Sequence, residues 1–303
     1  MAVHFAFHAV AHIDLLGQSE ALRRLDAVPL PCTEEQLLPA LQATLTPLVQ
    51  LRQWFVDYFA KANAPTEILE SLVAEQRAKA DELRLHDVVL RSWSDTTVVT
   101  VPLRNQTNPA IPKVVGIYRT FVAVAGTLLA FLVHRKLMLR GGIDLGKALD
   151  IPPIEGTPDT GEIYGAVIER AYTLESKVAQ YPRVVIGDTL LRFLDDMIKA
   201  GNEADENVVF NARMAERCKE LLVVDPFDGR VMLDFLGGEI RAQSGVTPEQ
   251  LVTAREFIAS ERQRFIAERN DTLAVRYNRL LIYVDHALRN GATQLREQVD
   301  AFA

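Results

Sequence analysis

From Val3 to Ile13 the chain alternates strictly. Val3, Phe5, Phe7, Ala9, Ala11 and Ile13 fall on one side, and His4, Ala6, His8, Val10 and His12 on the other, with Asp14 following in register with the second set. A period of two predicts a strand with one strongly apolar face. DLLGQS then predicts a turn, and EALRRL the opening of a helix. Across residues 33–85 the spacing becomes helical. Thr33 is placed to cap the first helix, with Glu34 and Glu35 where the helix dipole favours acids. Pro39 and Pro47 complicate that helix, and Ala64-Pro65 ends it. Thr66 starts a second helix, TEILESLVAEQRAKADELRL, so the segment predicts an inserted helical hairpin.

His86 to Leu103 is rich in β-branched residues with a polar break at Ser92 to Thr97, which predicts a two-stranded hairpin with Asp95 in or beside its turn. Residues 105–112 predict a loop, and Val114 to Val133 a long apolar helix. KLMLRGGIDLG predicts a short strand, and the Pro-, Gly- and acid-rich residues 150–162 a loop. IYGAVIERAYTLESKVAQ predicts a helix, and YPRVVIGDTLLRFL a strand followed by a helix. Val223 to Gly237 predicts a hairpin turning at Asp-Gly. Thr247 to Asn290 is strongly helical, with Thr-Pro-Glu as its start. The order of elements predicts an α/β (α+β) sandwich, a sheet covered by helices with a helical C-terminal tail. The expected division is residues 1–190 as the main domain and 191–303 as an extension, with a short hairpin, packed on it.

Composition narrows this picture. Of 303 residues, 49% are hydrophobic and 24% charged, as in ordinary globular chains. A net charge of −7 argues against general nucleic-acid or anionic-membrane binding. Two cysteines, Cys32 and Cys218, make no disulfide framework or CxxC zinc pair, and the first residues lack the basic front of a signal peptide. A cytoplasmic setting is the expectation. The apolar run at 114–133 has the length of a membrane span, but Arg119, Thr120, Gly126 and Thr127 dilute it, so a buried helix is expected.

Asp14 ends the first predicted strand and Asp95 sits at the hairpin turn. If those elements lie side by side, the two carboxylates meet at one sheet edge. There they could hold two divalent cations that bind phosphate oxygens. Leu15-Leu16-Gly17-Gln18-Ser19 adds a turn whose amides face an anion. Taken singly, each aspartate reads better as a cap or turn residue. His4, His8 and His12 share the strand face with Asp14. A covered sheet face is the favoured reading for them, and metal ligation the lesser one.

The set resembles the class III adenylate and guanylate cyclases. IDLLGQS is similar to that family's first metal motif, WSDTTVV to its second, LRGGIDLG to its Arg-x-Gly-Ile-x-x-Gly strand, and EIYGAVIERAYTLESKVA to the helix carrying its transition-state residues. All four occur in the family's order. AYTLE, YPRVVIG and RYNRLLIYVDH further resemble the bacterial uridylate and cytidylate cyclases of antiphage defence. The resemblance implies a mixed sheet covered by helices. It also implies a homodimer, two Mg²⁺ or Mn²⁺ ions per site, and cyclisation of a nucleoside triphosphate, with UTP favoured over CTP. By the same resemblance Asp14, Asp95 and the Leu15 carbonyl are metal ligands. The amides of Leu16, Gly17, Gln18 and Ser19 cradle the triphosphate, and Arg91 and Glu162 read the base.

The chain departs from the pattern at one place. The family's transition-state Asn and Arg correspond to Glu169 and Thr173, neither of which donates in the same way. Arg140, Arg170 and Arg183 are the candidate replacement cations, with a purely structural role for Arg140 weighed evenly against a catalytic one. Trp93 is read as core rather than base-stacking, and Tyr172 and Glu175 as structural. Two further function classes stay open: a catalytically silent cyclase-like module that senses a nucleotide or partner, and a purely structural interaction protein.

Overall fold

The computed structural model describes residues 4–62, 88–103, 113–151, 162–201 and 205–290. The alternating segment forms β1 (His4–Leu15). The predicted hairpin forms β2 (Val89–Trp93) and β3 (Thr96–Pro102), turning through Ser94-Asp95 with Ser94 in the left-handed region at φ 56°. With β4 (Leu139–Ile151), β5 (Glu162–Tyr164), β6 (Val184–Ile186), β7 (Leu222–Val224) and β8 (Val231–Leu233) these make one sheet. Its order is β2-β3-β1-β4-β6-β8-β7, with β5 pairing β4. β4 and β6 run parallel and the other pairs antiparallel, so the sheet is mixed.

Two strands differ from expectation. β4 is long, continuing into Ile151, because residues 139–151 pair with almost the whole of β1. β5 forms where a loop and helix start were predicted, since Glu162–Tyr164 finds a partner in the far end of β4. Three residues carry too little periodicity to announce a strand; pairing makes it one. The hairpin expected within the C-terminal segment is β7–β8, and it extends the same sheet through β6.

One face of the sheet carries most of the core. Ala9, Ala11, Ile13 and Leu15 of β1 meet α3 (Val115–Ala130), which continues through a π-helical turn to Arg135. All but one of the residues of α3 are buried, so the most apolar segment of the chain is the central helix of the fold. Its mean hydropathy of 1.8 and 21-residue length pass a membrane-span test, but 94% of that window is buried inside the protein. Outside it lies α2 (Glu34–Lys61), opened by the expected Thr33 cap; it runs unbroken through Pro39 and Pro47 and buries Pro47, Leu51, Phe55 and Phe59. The second helix of the predicted hairpin lies outside the described residues. Thr247 caps α8 (Pro248–Ala267), which pairs with α9 (Asp271–Asn290) as the helical tail.

The opposite face carries α4 (Ala166–Thr173), with a π-helical turn over Leu174–Val178. Val10, Val98, Ala148, Val167 and Ala171 form a small second core there. The helix lies very close to β4 because Gly142 and Gly146 have no side chains. A Cβ on Gly142 would stand 2.4 Å from Leu174 Cβ and 2.5 Å from the Ala171 carbonyl oxygen, and one on Gly146 would stand 2.9 Å from Val167 Cβ. The helix cannot sit where it does over any larger residue. Gly142→Ala is therefore expected to destabilise the fold by about 1–3 kcal/mol through overpacking. Urea unfolding checks this; a variant as stable as the parent would mean that α4 is not seated on this glycine.

Candidate metal centre

The site grows from strand register. Asp14 stands opposite Thr96 of β3 on one side and opposite Arg140 of β4 on the other. Trp93 pairs Thr96, so Trp93, Thr96, Asp14 and Arg140 form one row across the sheet; Arg91, Val98, His12 and Gly142 form another row two residues along. Period-two alternation puts both rows on the face covered by α4. The hairpin turn brings Asp95 beside Asp14. The Leu15 N–H donates to the Asp95 carbonyl at 3.1 Å, tying the end of β1 to the turn. The two predicted metal aspartates are thus neighbours.

Arg140 joins them. Its Nε donates to Asp14 Oδ2 at 3.0 Å and lies 2.7 Å from Glu175 Oε1. The Nε carries one hydrogen, and it is directed at Asp14. Glu175 Oε1 is buried without a hydrogen-bond donor among the described residues, and so is His12 Nδ1, which stands 3.5 Å from Glu175 Oε2. The His12 ring meets the edge of Tyr172 at 5.2 Å. Only 3% of the Glu175 side chain is exposed.

Asp14 and Glu175 therefore share one guanidinium, with Asp95 near enough for its charge to act on both. Burial raises Asp14 above its ordinary range, and the nearby Asp95 charge raises it further, while Arg140 and Thr96 pull it back. Burial raises Glu175 to about 7, opposed by Arg140 and assisted by Asp14 and Asp95. Burial first, then Arg140, lowers His12 to about 4, so this imidazole is neutral near pH 7. Burial is the larger cause of both raised carboxylates, and one guanidinium offsets it only in part. Asp14 and Asp95 are hard oxygen donors of the kind a divalent ion prefers. Among the described residues no group of three or more His, Cys, Asp and Glu is placed to hold a metal ion.

The other predicted residues separate. Gly17, in the left-handed region at φ 86°, precedes α1 (Gln18–Asp26), leaving the amides of Gly17, Gln18 and Ser19 around the start of the helix. The Leu16 amide is not part of a phosphate cradle here: it donates to the Met138 carbonyl at 2.9 Å. Arg91 lies on the site's face of β2. Trp93, expected in the core, is 59% exposed, because its row continues past the edge of α4 to the outermost strand. Glu162 pairs with Ile151, and β4 carries that end roughly 36 Å from Arg140 at about 3.3 Å per residue, so one chain does not bring it to Asp14.

The three candidate cations have three fates. Arg140 is in the site. Arg170 is committed to β4, with Nε donating to Asp144 Oδ2 at 2.5 Å and Nη2 to the Leu145 carbonyl at 2.8 Å. It lines a cavity of about 490 Å³ whose wall also carries Glu169, Thr173 and Arg192. Arg183 is fully buried, paired with Asp225 and Asp228 and packed over the Tyr181 ring. It supports the β7–β8 turn and does not reach the site. Sequence reading passed over Glu175 as structural. The signal was there: Val167, Ala171 and Glu175 recur at i, i+4, i+8, so an acid occupies the buried stripe of the helix.

No protein-family model matches the chain, and no curated protein does. Among solved structures it is similar to the adenylyl cyclase CyaB from P. aeruginosa, at 14% identity over 65% of this chain and 84% of that one, with a TM-score of 0.35. It is also similar to a dimeric guanylyl cyclase domain of the RhoGC fusion protein from the aquatic fungus Blastocladiella emersonii, at 10% identity over 65% and 86%, TM-score 0.38. A bacterial light-regulated adenylyl cyclase matches at 10% identity over 83% and 99%, TM-score 0.36.

The site's electrostatics have a pH signature. The folded protein holds the Glu175 proton where the unfolded chain has lost it, so this residue contributes stability at low pH that fades as pH rises towards 7. His12 works in the opposite sense: its contribution is present above its ordinary value of 6.5 and is lost as pH falls towards 4. Glu175→Gln imitates the protonated acid at every pH. Thermal unfolding in chelator is expected to show the parent losing stability relative to this variant between about pH 5 and about pH 8. A constant difference across that range would contradict the assignment.

Proposed function

We propose that this protein is a nucleotidyl cyclase, acting on a nucleoside triphosphate to give a 3′,5′-cyclic mononucleotide and pyrophosphate. The observation that carries the reading is the meeting of Asp14 and Asp95 at the β1 end and the β2–β3 turn, joined through the Leu15 N–H. Those carboxylates, with the Leu15 carbonyl, would hold Mg²⁺ or Mn²⁺, which supplies charge stabilisation for phosphoryl transfer when bound. The amides of Gly17, Gln18 and Ser19, at the positive end of α1, suit the triphosphate. Arg91, on the same face, presents a donor fork that suits an acceptor-rich base edge, which favours UTP, then CTP. Resemblance to the pyrimidine cyclases supports that preference and a second-messenger role in antiphage defence in the cytoplasm.

A homodimer completes the reading. Glu162, Glu169 and Thr173 lie away from Asp14 within one chain, and the resemblance sets the α4 side of one protomer against the aspartates of its partner. Glu169 and Thr173 remain poor donors in that position. They also favour a second reading, a cyclase-like module that binds nucleotide without turnover.

Incubation of the purified protein with each nucleoside triphosphate and Mn²⁺, followed by mass detection of products, separates these readings. The expected result is a cyclic pyrimidine nucleotide whose yield falls at least about a hundredfold in Asp95→Ala. Metal-dependent nucleotide binding without product would favour the silent module; neither binding nor product would remove both. Under the base-reading assignment, Arg91→Ala is expected to flatten the preference among the four substrates by about tenfold. Unchanged preference would remove Arg91 from that role.

A further inference from the structure

The Arg140 cluster does more than neutralise charge. One Nε–H faces two carboxylate oxygens, Asp14 Oδ2 at 3.0 Å and Glu175 Oε1 at 2.7 Å, and bonds the first. The second is buried, adjacent and without a donor. That arrangement has two settings. In one, seen here, Arg140 donates to Asp14. In the other, a small rotation of the guanidinium gives the same hydrogen to Glu175 and frees Asp14 Oδ2.

We propose that Arg140 is a resident cation that occupies the metal ligand Asp14 until a divalent ion arrives, and that Glu175 is the positioning residue that receives it. The inference rests on the reading of Asp14 and Asp95 as metal ligands. A divalent ion at Asp14 would repel an adjacent guanidinium, so binding requires that Arg140 leave. A half-buried guanidinium with no second acceptor would be costly, and Glu175 reduces that cost. The seat of α4 on Gly142 and Gly146 keeps Glu175 within reach, and His12 borders it, with Nδ1 3.5 Å from Glu175 Oε2.

Two consequences distinguish the handover from a merely structural ion pair. Removing Arg140 should strengthen metal binding, because the competitor is gone. Removing the Glu175 charge should weaken it, because the competitor then has only Asp14. The second effect depends on the first, so the two changes couple in a double-mutant cycle.

Mn²⁺ binding is measured without nucleotide, by electron paramagnetic resonance of the free ion, on the full chain. Parent binding that is lost in Asp95→Ala establishes the metal site. Against that baseline, Arg140→Met, which keeps the aliphatic stem, is expected to tighten binding about tenfold, and Glu175→Gln to weaken it about tenfold. In the Arg140→Met background, Glu175→Gln is expected to have an effect of less than about twofold. If Arg140→Met leaves the affinity unchanged, or if Glu175→Gln weakens binding equally in both backgrounds, the handover is overturned while the metal site stands. Should Arg140→Met not fold, the isosteric Glu175→Gln decides alone: unchanged affinity overturns the proposal. An absence of Asp95-dependent binding in the parent overturns the metal reading itself.

Discussion

The closeness of α4 to β4 is the constraint on which the rest of the site depends. Two glycines let a helix approach a strand to distances that no side chain permits. Once the helix is there, its buried stripe must face the polar side of β1, and the polar side of β1 carries His12 and Asp14. An apolar helix residue at position 175 would leave Arg140 with Asp14 alone. The acid turns a packing contact into an electrostatic one, and the small second core of Val10, Val98, Ala148, Val167 and Ala171 holds it in place. The large core on the other face holds most of the buried apolar residues, while the small one holds the helix that carries Glu175.

Burial and charge pull against each other in this cluster. Burial raises the Asp14 and Glu175 carboxyls, Arg140 offsets only part of that, and burial together with Arg140 lowers His12. A stability-driven design would have placed a second cation or removed an acid. The cluster lies at the end of β1, where the backbone is fixed by both neighbouring strands and by the Leu15–Asp95 hydrogen bond. A rigid frame around an under-neutralised centre is what ion recognition asks for, because the frame does not relax to relieve the charge before the ion does.

Much of this was legible in the chain itself. Strict alternation in residues 3–14 fixed both the strand and the face shared by His12 and Asp14, and turn chemistry at Ser94-Asp95 fixed the hairpin. The Thr33 and Thr247 caps were readable because capping is local. What escaped was long-range. β5 exists only through its pairing with β4, and the length of β4 only through β1. Arg140, Arg170 and Arg183 look alike as sequence, yet they are separated by their partners: Asp14, Asp144 and Asp225 lie 126, 26 and 42 residues away. No window along the chain contains that information. Glu175 was visible as an anomaly in a helical stripe, but its meaning depended on knowing what the stripe would cover.

Asp144 shows how such long-range ties shape the molecule beyond the metal centre. Its buried carboxylate accepts from Arg170 of α4 through one oxygen and from the Leu190 amide, in the first turn of α5 (Asp188–Ala200), through the other. Those two helices form facing walls of the 490 Å³ cavity that carries Glu169 and Thr173. The walls are therefore hinged on one residue of the central sheet. Asp144 also lines the cleft, tying both walls to β4, so a movement of β4 would be felt on both walls at once.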